Sequence, residues 1–392
     1  MAGTRLRTTA IGVGSALALA AAGQAGAVQF QAGDTTVSLG GYLKGDFIYN
    51  VNEDLGDTLN TRAINVGDAE DNEIEGHTRV HARQSRLSLQ TTTENLGGSD
   101  LTTRLEGDFF GGGGNEVFSN SNSFRIRHAY GSWNGILAGQ TWSNFMYLIA
   151  LPPTLDFAGP AGQSFIRQGQ MRYTVGGFSV SLENPESLIV GSVSDGSTGV
   201  ADLNTVASKD PLPDLTLAYR GSAGSFSYSV AGLARQLEVD DGSDSESTAG
   251  FGVMGAARWT MGGTTLAGGV VYGDGIGRYV YEGVERAAFI DSDGDLEAIE
   301  QLGTVLWAQQ ELTPTTSVLL AWGHTDSDVD DLVDTYGNDS VQETSDTIHA
   351  NIQYSPVSRI TYGLSYQYAQ RETQGGADGD ASRVQFSGQY SF

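Results

Sequence analysis

Residues 101–110 read L-T-T-R-L-E-G-D-F-F, and their apolar and charged side chains alternate. Leu101 and Leu105 share one parity, whereas Arg104 and Glu106 share the other. Successive side chains of a β-strand point to opposite faces, so this stretch predicts a strand with one apolar and one charged face. Such a strand fits the wall of a membrane barrel, because an inward-facing Arg avoids the roughly 2–4 kcal/mol that Arg costs at the lipid-facing midplane.

Similar alternation recurs along the chain, and we predict sixteen strands. They lie near residues 37–50, 78–94, 100–110, 124–133, 136–141, 165–175, 178–183, 215–221, 226–239, 247–260, 264–272, 298–312, 316–325, 346–354, 359–368 and 382–392. The connections alternate between short turns, such as N-L-G-G-S and M-G-G, and long polar loops. One rim of short turns and one rim of long loops is typical of outer-membrane barrels. The predicted fold class is therefore all-β, a 16-stranded antiparallel transmembrane β-barrel.

A soluble sandwich, solenoid or propeller is the alternative to a membrane barrel. Each of these folds needs a dry core, yet the faces between the apolar positions carry Arg, Glu, Asp, Gln and Thr in strand after strand. No repeat of about 20–50 residues is present, which argues against a solenoid or a propeller. The 392-residue chain also has no cysteine, so disulfides do not hold the fold together.

The N-terminus has the features of a cleaved secretory signal. Arg5 and Arg7 precede an apolar run over residues 11–22, and small residues at A-x-A spacing follow. We therefore predict that residues 1–27 are a signal peptide and that residues 28–392 form a single outer-membrane porin barrel. Beyond the signal, no apolar stretch is long enough to cross a bilayer as a helix. The expected location is the outer membrane of a Gram-negative bacterium, which the chain crosses many times.

The formal net charge of the chain is −26, which argues against nucleic acid as a partner. The acidic residues concentrate in predicted long loops, near residues 54–75, 240–246, 291–300 and 326–339. Most basic residues of the first half instead fall within predicted strands. Only charges within about one Debye length, roughly 8–10 Å at physiological salt, act strongly on a passing ion. Ion selectivity therefore depends on the charges at the narrowest point and not on the net charge.

Strand parity assigns a set of basic side chains to the interior, as candidate pore-lining and substrate-binding residues. These are Lys44, Arg86, Arg104, Arg125, Arg127 and Arg172. In the fourth strand the same rule places Tyr130 on the outer face, opposite Arg125 and Arg127. Arg79 and Arg83 fall on the outer parity of the second strand, and we expect them above the lipid band or before a bulge. The last strands carry Thr, Asn, Gln and His on their inner faces, so the interior is predicted to be wet throughout.

The third long connection, about residues 142–164, contains a long apolar stretch. The third loop of general porins folds inward and constricts the pore, and an apolar stretch is more stable against a wall than in water. We predict that this loop also folds inward, with Leu151, Asp156 and Phe157 as candidate constriction residues. A surface lid is the alternative.

Six motifs lie between Gly40 and Thr174: G-Y-L-K-G-D-F, R-Q-S-R-L-S-L-Q-T-T-T, T-R-L-E-G-D-F-F-G-G-G-G, F-R-I-R-H-A-Y-G, L-A-G-Q-T-W-S-N-F and R-Q-G-Q-M-R-Y-T. Together they resemble the DcaP-like family of trimeric outer-membrane porins. The resemblance implies a sixteen-stranded homotrimer that takes up small anionic solutes, dicarboxylates among them. Described members carry a heptad-patterned periplasmic extension before the barrel, whereas here only about ten residues separate the predicted cleavage site from the first strand. We therefore leave open any role of such an extension in trimer stability for this chain.

The expected function is passive diffusion of small hydrophilic solutes, with a preference for anions such as dicarboxylates at an Arg-lined constriction. Guanidinium groups bind carboxylates bidentately, and rings of Arg or Lys favour anions. A competing interpretation is that Glu106 and Asp108 neutralise the arginines, which then only stabilise the barrel. A barrel enzyme and a structural or receptor barrel without an open pore are further alternatives. The sequence predicts no catalytic residue, cofactor or metal: its histidines lack a partner motif, and its acidic loops lack the sixth-position Gly of an EF-hand.

The chain ends R-V-Q-F-S-G-Q-Y-S-F, and its last residue is Phe392. We expect this alternating stretch to close the barrel against the first strand. A terminal aromatic residue resembles the signal by which barrel-assembly machinery recognises outer-membrane proteins. The other expected partners are outer-membrane lipid and lipopolysaccharide.

Overall fold

A computed structural model describes residues 27–67, 75–113, 117, 119–120, 122–191, 208–240, 242 and 245–392. The predicted signal peptide lies outside these residues except for Ala27. The strands are β1 Val28–Ala32, β2 Thr35–Asn50, β3 His77–His81, β4 Arg86–Leu96, β5 Ser99–Asp108, β6 Arg125–Trp133, β7 Ile136–Trp142, β8 Arg167–Val175, β9 Phe178–Glu183, β10 Ile189–Val190, β11 Asp214–Ala223, β12 Phe226–Asp240, β13 Ser245–Met261, β14 Thr264–Asp274, β15 Ala288–Ile290, β16 Leu296–Ala298, β17 Glu300–Thr313, β18 Thr316–Ser327, β19 Gln342–Val357, β20 Ile360–Thr373 and β21 Asp378–Ser391. Among the residues described, a short α-helix, α1, spans Asp330–Tyr336. No helix within the described ranges is both long and apolar enough to cross a bilayer.

The sheet closes on itself as an antiparallel barrel. Successive wall strands pair from β2 round to β21, and β21 pairs back with β2, where Phe47 faces Phe386. β3 and β4 pair with successive parts of β2, so together they count as one strand of the wall. The barrel therefore has sixteen strands. The predicted fold class is confirmed, and the C-terminal stretch closes the barrel as expected. The chain also forms β1, a short hairpin partner of β2 that the sequence analysis did not predict.

Apolar side chains cover the outer surface of the wall, whereas the side chains between them are buried. Leu43, Phe47 and Leu105 are exposed, while Lys44 and Glu106 are buried. This alternation of outward apolar and inward polar residues is the pattern of a barrel wall in lipid.

The second predicted strand is interrupted, and the interruption changes which parity faces inward. The strand stops pairing with β2 between His81 and Arg86. Val80, an even-numbered residue, and Leu87, an odd-numbered one, are both exposed on the outer surface, so the inward-facing parity changes across this gap. Arg79 therefore faces inward. The expected irregularity is present after Arg79, whereas Arg83 lies within it.

A bulge in β6 has a similar effect and makes one prediction wrong. Glu106 pairs with His128 and Gly107 with Ile126, so Arg127 has no residue opposite it in the ladder. Beyond the bulge, Tyr130 pairs with the inward-facing Arg104. Tyr130 thus lies on the inner face and not on the outer one, because an extra residue in one strand reverses the parity of all that follows.

The connection between β7 and β8, residues 143–166, is called L3 below; it corresponds to the predicted loop near 142–164. Its first part packs on an apolar region of the inner wall. Phe145, Tyr147 and Ala150 are fully buried in a cluster with inner-face residues of β12–β14, β17 and β18. The indole Nε1 of Trp307 donates a hydrogen bond to Ala150 O at 2.7 Å. The interior is therefore not wet throughout, because L3 and an apolar stretch of wall form a dry core.

The later part of L3 is held by polar side chains of the inner wall. Lys44 Nζ donates to Leu155 O at 2.6 Å, and Gln353 Nε2 donates to Pro153 O at 2.9 Å. The amide of Ala161 donates to Thr347 Oγ1 at 2.9 Å. L3 therefore follows the inner wall from β12 round to β2.

The end of L3 lies directly on a wall glycine, which gives a stability test. A Cβ at Gly323 would overlap Ala161 O, whereas a Cβ at Gly255 would meet open space. We expect Gly323→Ala to lower the free energy of unfolding by about 1–3 kcal/mol, as overpacking does. Gly255→Ala is the matched control and should leave it nearly unchanged. Thermal unfolding of the detergent-solubilised proteins measures both, and equal stability of the two variants would contradict the close contact.

The first long loop, residues 51–76 and called L1 below, is tied to β3 by an ion pair that gives a pH test. Arg79 donates to both carboxylate oxygens of Asp54, at 2.7 and 2.5 Å. These hydrogen bonds hold the pKa of Asp54 below its ordinary value. A carboxyl group whose pKa is lowered in the folded state stabilises the fold at pH values above its unfolded-state pKa. This stabilisation is lost as the pH falls through the folded-state pKa.

We therefore expect Asp54→Asn to speed hydrogen exchange of the Gly56 amide, which donates to Asp54 Oδ1. At pH 7 the increase should be about fivefold, since a partly buried pair contributes roughly 1 kcal/mol. As the pH falls through the folded-state pKa of Asp54, the wild-type carboxyl becomes protonated, so the difference between the exchange rates of the two proteins should shrink. A difference that persists at low pH would show that the ion pair does not hold the loop.

Candidate functional site

Two buried carboxylates on β5, Glu106 and Asp108, organise a group of arginines on the inner wall. Arg125 donates through Nε and Nη2 to the two oxygens of Asp108, at 3.0 and 2.9 Å. Arg127 bridges the acids, with Nε 3.1 Å from Glu106 Oε1 and Nη1 2.8 Å from Asp108 Oδ2. Arg104 Nη2 donates to Glu106 Oε2 at 2.5 Å. Because the guanidinium fork is planar and rigid, these bonds fix the orientation of each charged group.

Two further guanidinium groups lie beside these pairs. Arg86 Nε is 3.5 Å from Glu106 Oε1, and its guanidinium lies 5.2 Å from the ring centre of Tyr42. Arg167, at the start of β8, lies 4.7 Å from the ring centre of Trp142. Its Nη1 is buried and has no hydrogen-bond partner among the residues that the structure describes. Four guanidinium groups thus pair with two carboxylates, and with the neighbouring Arg167 this part of the wall has an excess of three positive charges.

L3 approaches this group with an aromatic side chain. The guanidinium groups of Arg125 and Arg127 lie 5.2 and 5.3 Å from the ring centre of Phe157. Phe110 also packs against Phe157, and the centres of the two rings are 4.6 Å apart. Cations are attracted to the faces of aromatic rings, so these contacts hold the loop against the arginines.

The arginines differ in how far solvent reaches them. The side chain of Arg125 is 33% exposed and that of Arg86 is 23% exposed, whereas that of Arg127 is only 4% exposed. A solute inside the barrel can therefore touch Arg125 and Arg86 directly. Arg127 is instead shielded from solvent and bridges the two acids.

Lys44 and Asp156 do not belong to this group, although Lys44 was predicted to line the pore and Asp156 to line the constriction. Lys44 is buried, forms an ion pair with Asp46 at 3.1 Å and donates to L3. Asp156 is buried too, and its carboxylate accepts the backbone N–H groups of Leu59, Ala158 and Gly159. Both side chains hold L3 in place. Leu151, the third loop residue nominated with Phe157, is half-buried and follows the 3-10 turn Leu148–Ala150.

Arg172 lies at the base of L3 together with residues that the sequence analysis missed. Arg172 Nη2 donates to Trp142 O at 2.5 Å. Arg220 donates to Asn144 Oδ1 and to Asn144 O, at 3.0 and 2.7 Å, and the Asn144 amide donates to Glu183 at 2.8 Å. These bonds fix the point at which L3 leaves the wall.

Sequence parity could have found one of the missed residues. Leu215 and Leu217 are exposed on the outer surface of β11, so Arg220 falls on the inner parity. Asn144 lies in a loop without periodicity, and Arg167 follows an irregular segment, so no sequence signal placed either side chain.

The interior contains a Thr–His–Glu arrangement that could be mistaken for a catalytic relay. His128 Nδ1 lies 2.9 Å from Thr141 Oγ1, and His128 Nε2 lies 3.9 Å from Glu106 Oε1. The second distance is too long for a hydrogen bond, and guanidinium groups already occupy both oxygens of Glu106. The arrangement therefore does not orient a general base. Within the described part of the chain, no group of three or more His, Asp or Glu residues could hold a metal ion.

Comparisons with known proteins identify the barrel. Residues 10–261, more than half of the chain, match the sequence model of the DcaP outer membrane protein family. The crystal structure of the outer membrane channel DcaP of Acinetobacter baumannii is 26% identical with a TM-score of 0.78, and the match covers 93% of this chain and 99% of that chain. No curated protein matches this chain by sequence.

More distant barrels share the fold. An anion-selective porin from Comamonas acidovorans is 14% identical with a TM-score of 0.57, over 91% of this chain and 100% of that chain. The trimer form of OmpT from Vibrio cholerae is 11% identical with a TM-score of 0.54, over 91% of this chain and 99% of that chain. The chain belongs to the DcaP outer membrane protein family and is an outer-membrane channel of that type.

Proposed function

We propose that this channel allows passive diffusion of small hydrophilic solutes and prefers anions, dicarboxylates among them. One observation carries the proposal: five guanidinium groups lie around only two carboxylates, and four of the five pair with them. The competing interpretation, complete neutralisation by Glu106 and Asp108, leaves three positive charges unexplained.

The position of these charges matters more than the acidic net charge of the chain. At physiological salt a charge acts strongly on a passing solute only within about 8–10 Å, so selectivity depends on the charges nearest the narrow region. At the wall, the exposed forks of Arg125 and Arg86 replace water around a carboxylate. A dicarboxylate presents two such groups, so the surplus of positive charge suits a dianion.

L3 is the proposed constriction loop. The dry core formed by Phe145 and Tyr147 and the polar bonds at Leu155 hold it against the wall from β12 round to β2. This arrangement directs the solute path towards the arginines of β4–β6. Phe157 then forms the apolar side of the narrow region opposite Arg125.

Several biological features belong to the same proposal. Residues 1–27 act as a cleaved export signal, the mature chain folds with the help of barrel-assembly machinery, and lipopolysaccharide surrounds its outer rim. The channel works as a homotrimer without catalytic activity; one structural relative, OmpT of Vibrio cholerae, has been described in a trimer form.

Reconstitution into a planar bilayer tests the function. With a tenfold gradient of potassium chloride across the membrane, the zero-current potential should have the sign of chloride preference. Succinate should be taken up by liposomes that contain the protein faster than an uncharged solute of the same size. No conductance would favour a structural or receptor barrel, and firm cation preference would exclude the anion channel.

Arg167 offers a clean test of the charge argument. Replacing Arg125 or Arg127 leaves Asp108 short of a partner, whereas Arg167 has no carboxylate within ion-pair distance among the described residues. A unit charge at roughly 6 Å in water contributes about 0.7 kcal/mol, so Arg167→Gln should lower the anion-to-cation permeability ratio roughly threefold.

Arg359→Gln is the matched control, because it removes the same charge at an exposed turn between β19 and β20. Its zero-current potential should stay close to that of the wild type. Equal shifts in the two variants would mean that net charge, and not the wall arginines, determines selectivity.

A further inference from the structure

Three long loops meet inside the extracellular mouth of the barrel. They are L1, L3 and the connection between β14 and β17, residues 275–299, called L6 below. Their meeting point is the pair Tyr281 and Glu282 of L6. Glu282 contacts L1 and the barrel wall, whereas Tyr281 contacts L1 and L3.

Glu282 adopts a backbone conformation that a non-glycine residue rarely takes. Its φ is +62°, and the residue is 5% exposed. A non-glycine residue in the left-handed region persists where surrounding contacts hold it there. Here the carbonyl oxygen of Glu282 accepts hydrogen bonds from wall side chains: Gln342 Nε2 at 2.6 Å, Ser345 Oγ at 3.3 Å and Thr325 Oγ1 at 3.4 Å. The backbone of Glu282 is thereby tied to β18 and β19.

The side chain of Glu282 binds L1. Its Oε2 accepts the amide of Thr61 at 2.8 Å and the hydroxyl of Thr61 at 2.5 Å. Thr61 is fully buried, and so is Leu59, two residues before it. A buried carboxylate with two such donors stabilises the position of L1 more strongly than an exposed contact does.

Tyr281 connects the same point to L3 and again to L1. Its amide donates to Gln163 O at 3.0 Å, and its carbonyl accepts the amide of Gly162 at 2.9 Å. Its hydroxyl donates to Leu59 O at 3.2 Å. The Leu59 amide in turn donates to Asp156 Oδ2 at 3.1 Å. A path of covalent neighbours and hydrogen bonds therefore runs from Glu282 through Tyr281 and Leu59 to Asp156, the residue that precedes Phe157.

We propose that Glu282 is a positioning residue for the narrow region: its carboxylate holds L1 against L6, and the L1–L3 contact then fixes Phe157 opposite the arginines of β6. The residue acts through the loops and does not touch the solute. For selectivity this inference rests on the proposed constriction by L3. The loop coupling itself does not depend on that function.

Single-channel recordings of three variants test the proposal. Glu282→Ala should raise the open-channel current noise and lower the anion-to-cation permeability ratio roughly twofold or more, the lower end of effects transmitted between distant groups. Glu282→Gln keeps an acceptor oxygen for Thr61 and should recover most of the wild-type current. Glu282→Gly removes the steric strain of the left-handed backbone but also removes the carboxylate, so it should behave like the alanine variant.

Each outcome decides the proposal. Wild-type behaviour of the glycine variant would assign the effect to backbone conformation and overturn the role of the carboxylate. A glutamine variant as defective as the alanine variant would also overturn it. Glu297→Ala removes the same charge from an exposed position of L6 and should change neither noise nor selectivity.

Hydrogen exchange separates this inference from the proposed function. In Glu282→Ala the amides of Thr61, Leu59 and Gly162 should exchange faster together, while the wall strands stay protected. Faster exchange at Thr61 alone would mean that Glu282 does not act on L3. Absence of anion preference in the wild type would refute the proposed function but leave this exchange result as an independent test.

Discussion

Closure of the backbone hydrogen-bond ladder is the constraint on which the rest of this structure depends. In lipid no water is available for an open sheet edge, so every wall strand needs two neighbours. Pairing of β21 with β2 meets that requirement. Once the sheet is closed, each strand has one lipid face and one enclosed face, and every charged side chain of the wall has to be accommodated inside or at the rims.

The enclosed face is divided into two chemically different regions. From β12 to β18 it carries apolar side chains that L3 covers with Phe145 and Tyr147. Across β4–β6 it carries arginines that Glu106 and Asp108 hold in fixed orientations. The buried acids thus have two effects. They make it possible to bury closely spaced guanidinium groups, and they reduce the positive charge without cancelling it.

Much of the wall could be predicted because a strand's period of two is a local property. Arg86, Arg104, Arg125 and Arg127 were all assigned to the inner side, where the structure has them. The same rule failed at Tyr130, since a bulge shifts the parity and leaves no mark in the alternation of nearby residues. It also could not separate Lys44 from the arginines, although Lys44 holds L3 and is buried.

The sequence by itself therefore determined the fold class, the number of wall strands and the inward direction of most charged side chains, because each follows from alternation within a few residues. Tertiary structure alone decided what those side chains do. Lys44 meets Leu155, Arg220 meets Asn144 and Glu282 meets Thr61. These partners are separated by 111, 76 and 221 positions along the chain, so only closure of the barrel and folding of its loops bring them into contact.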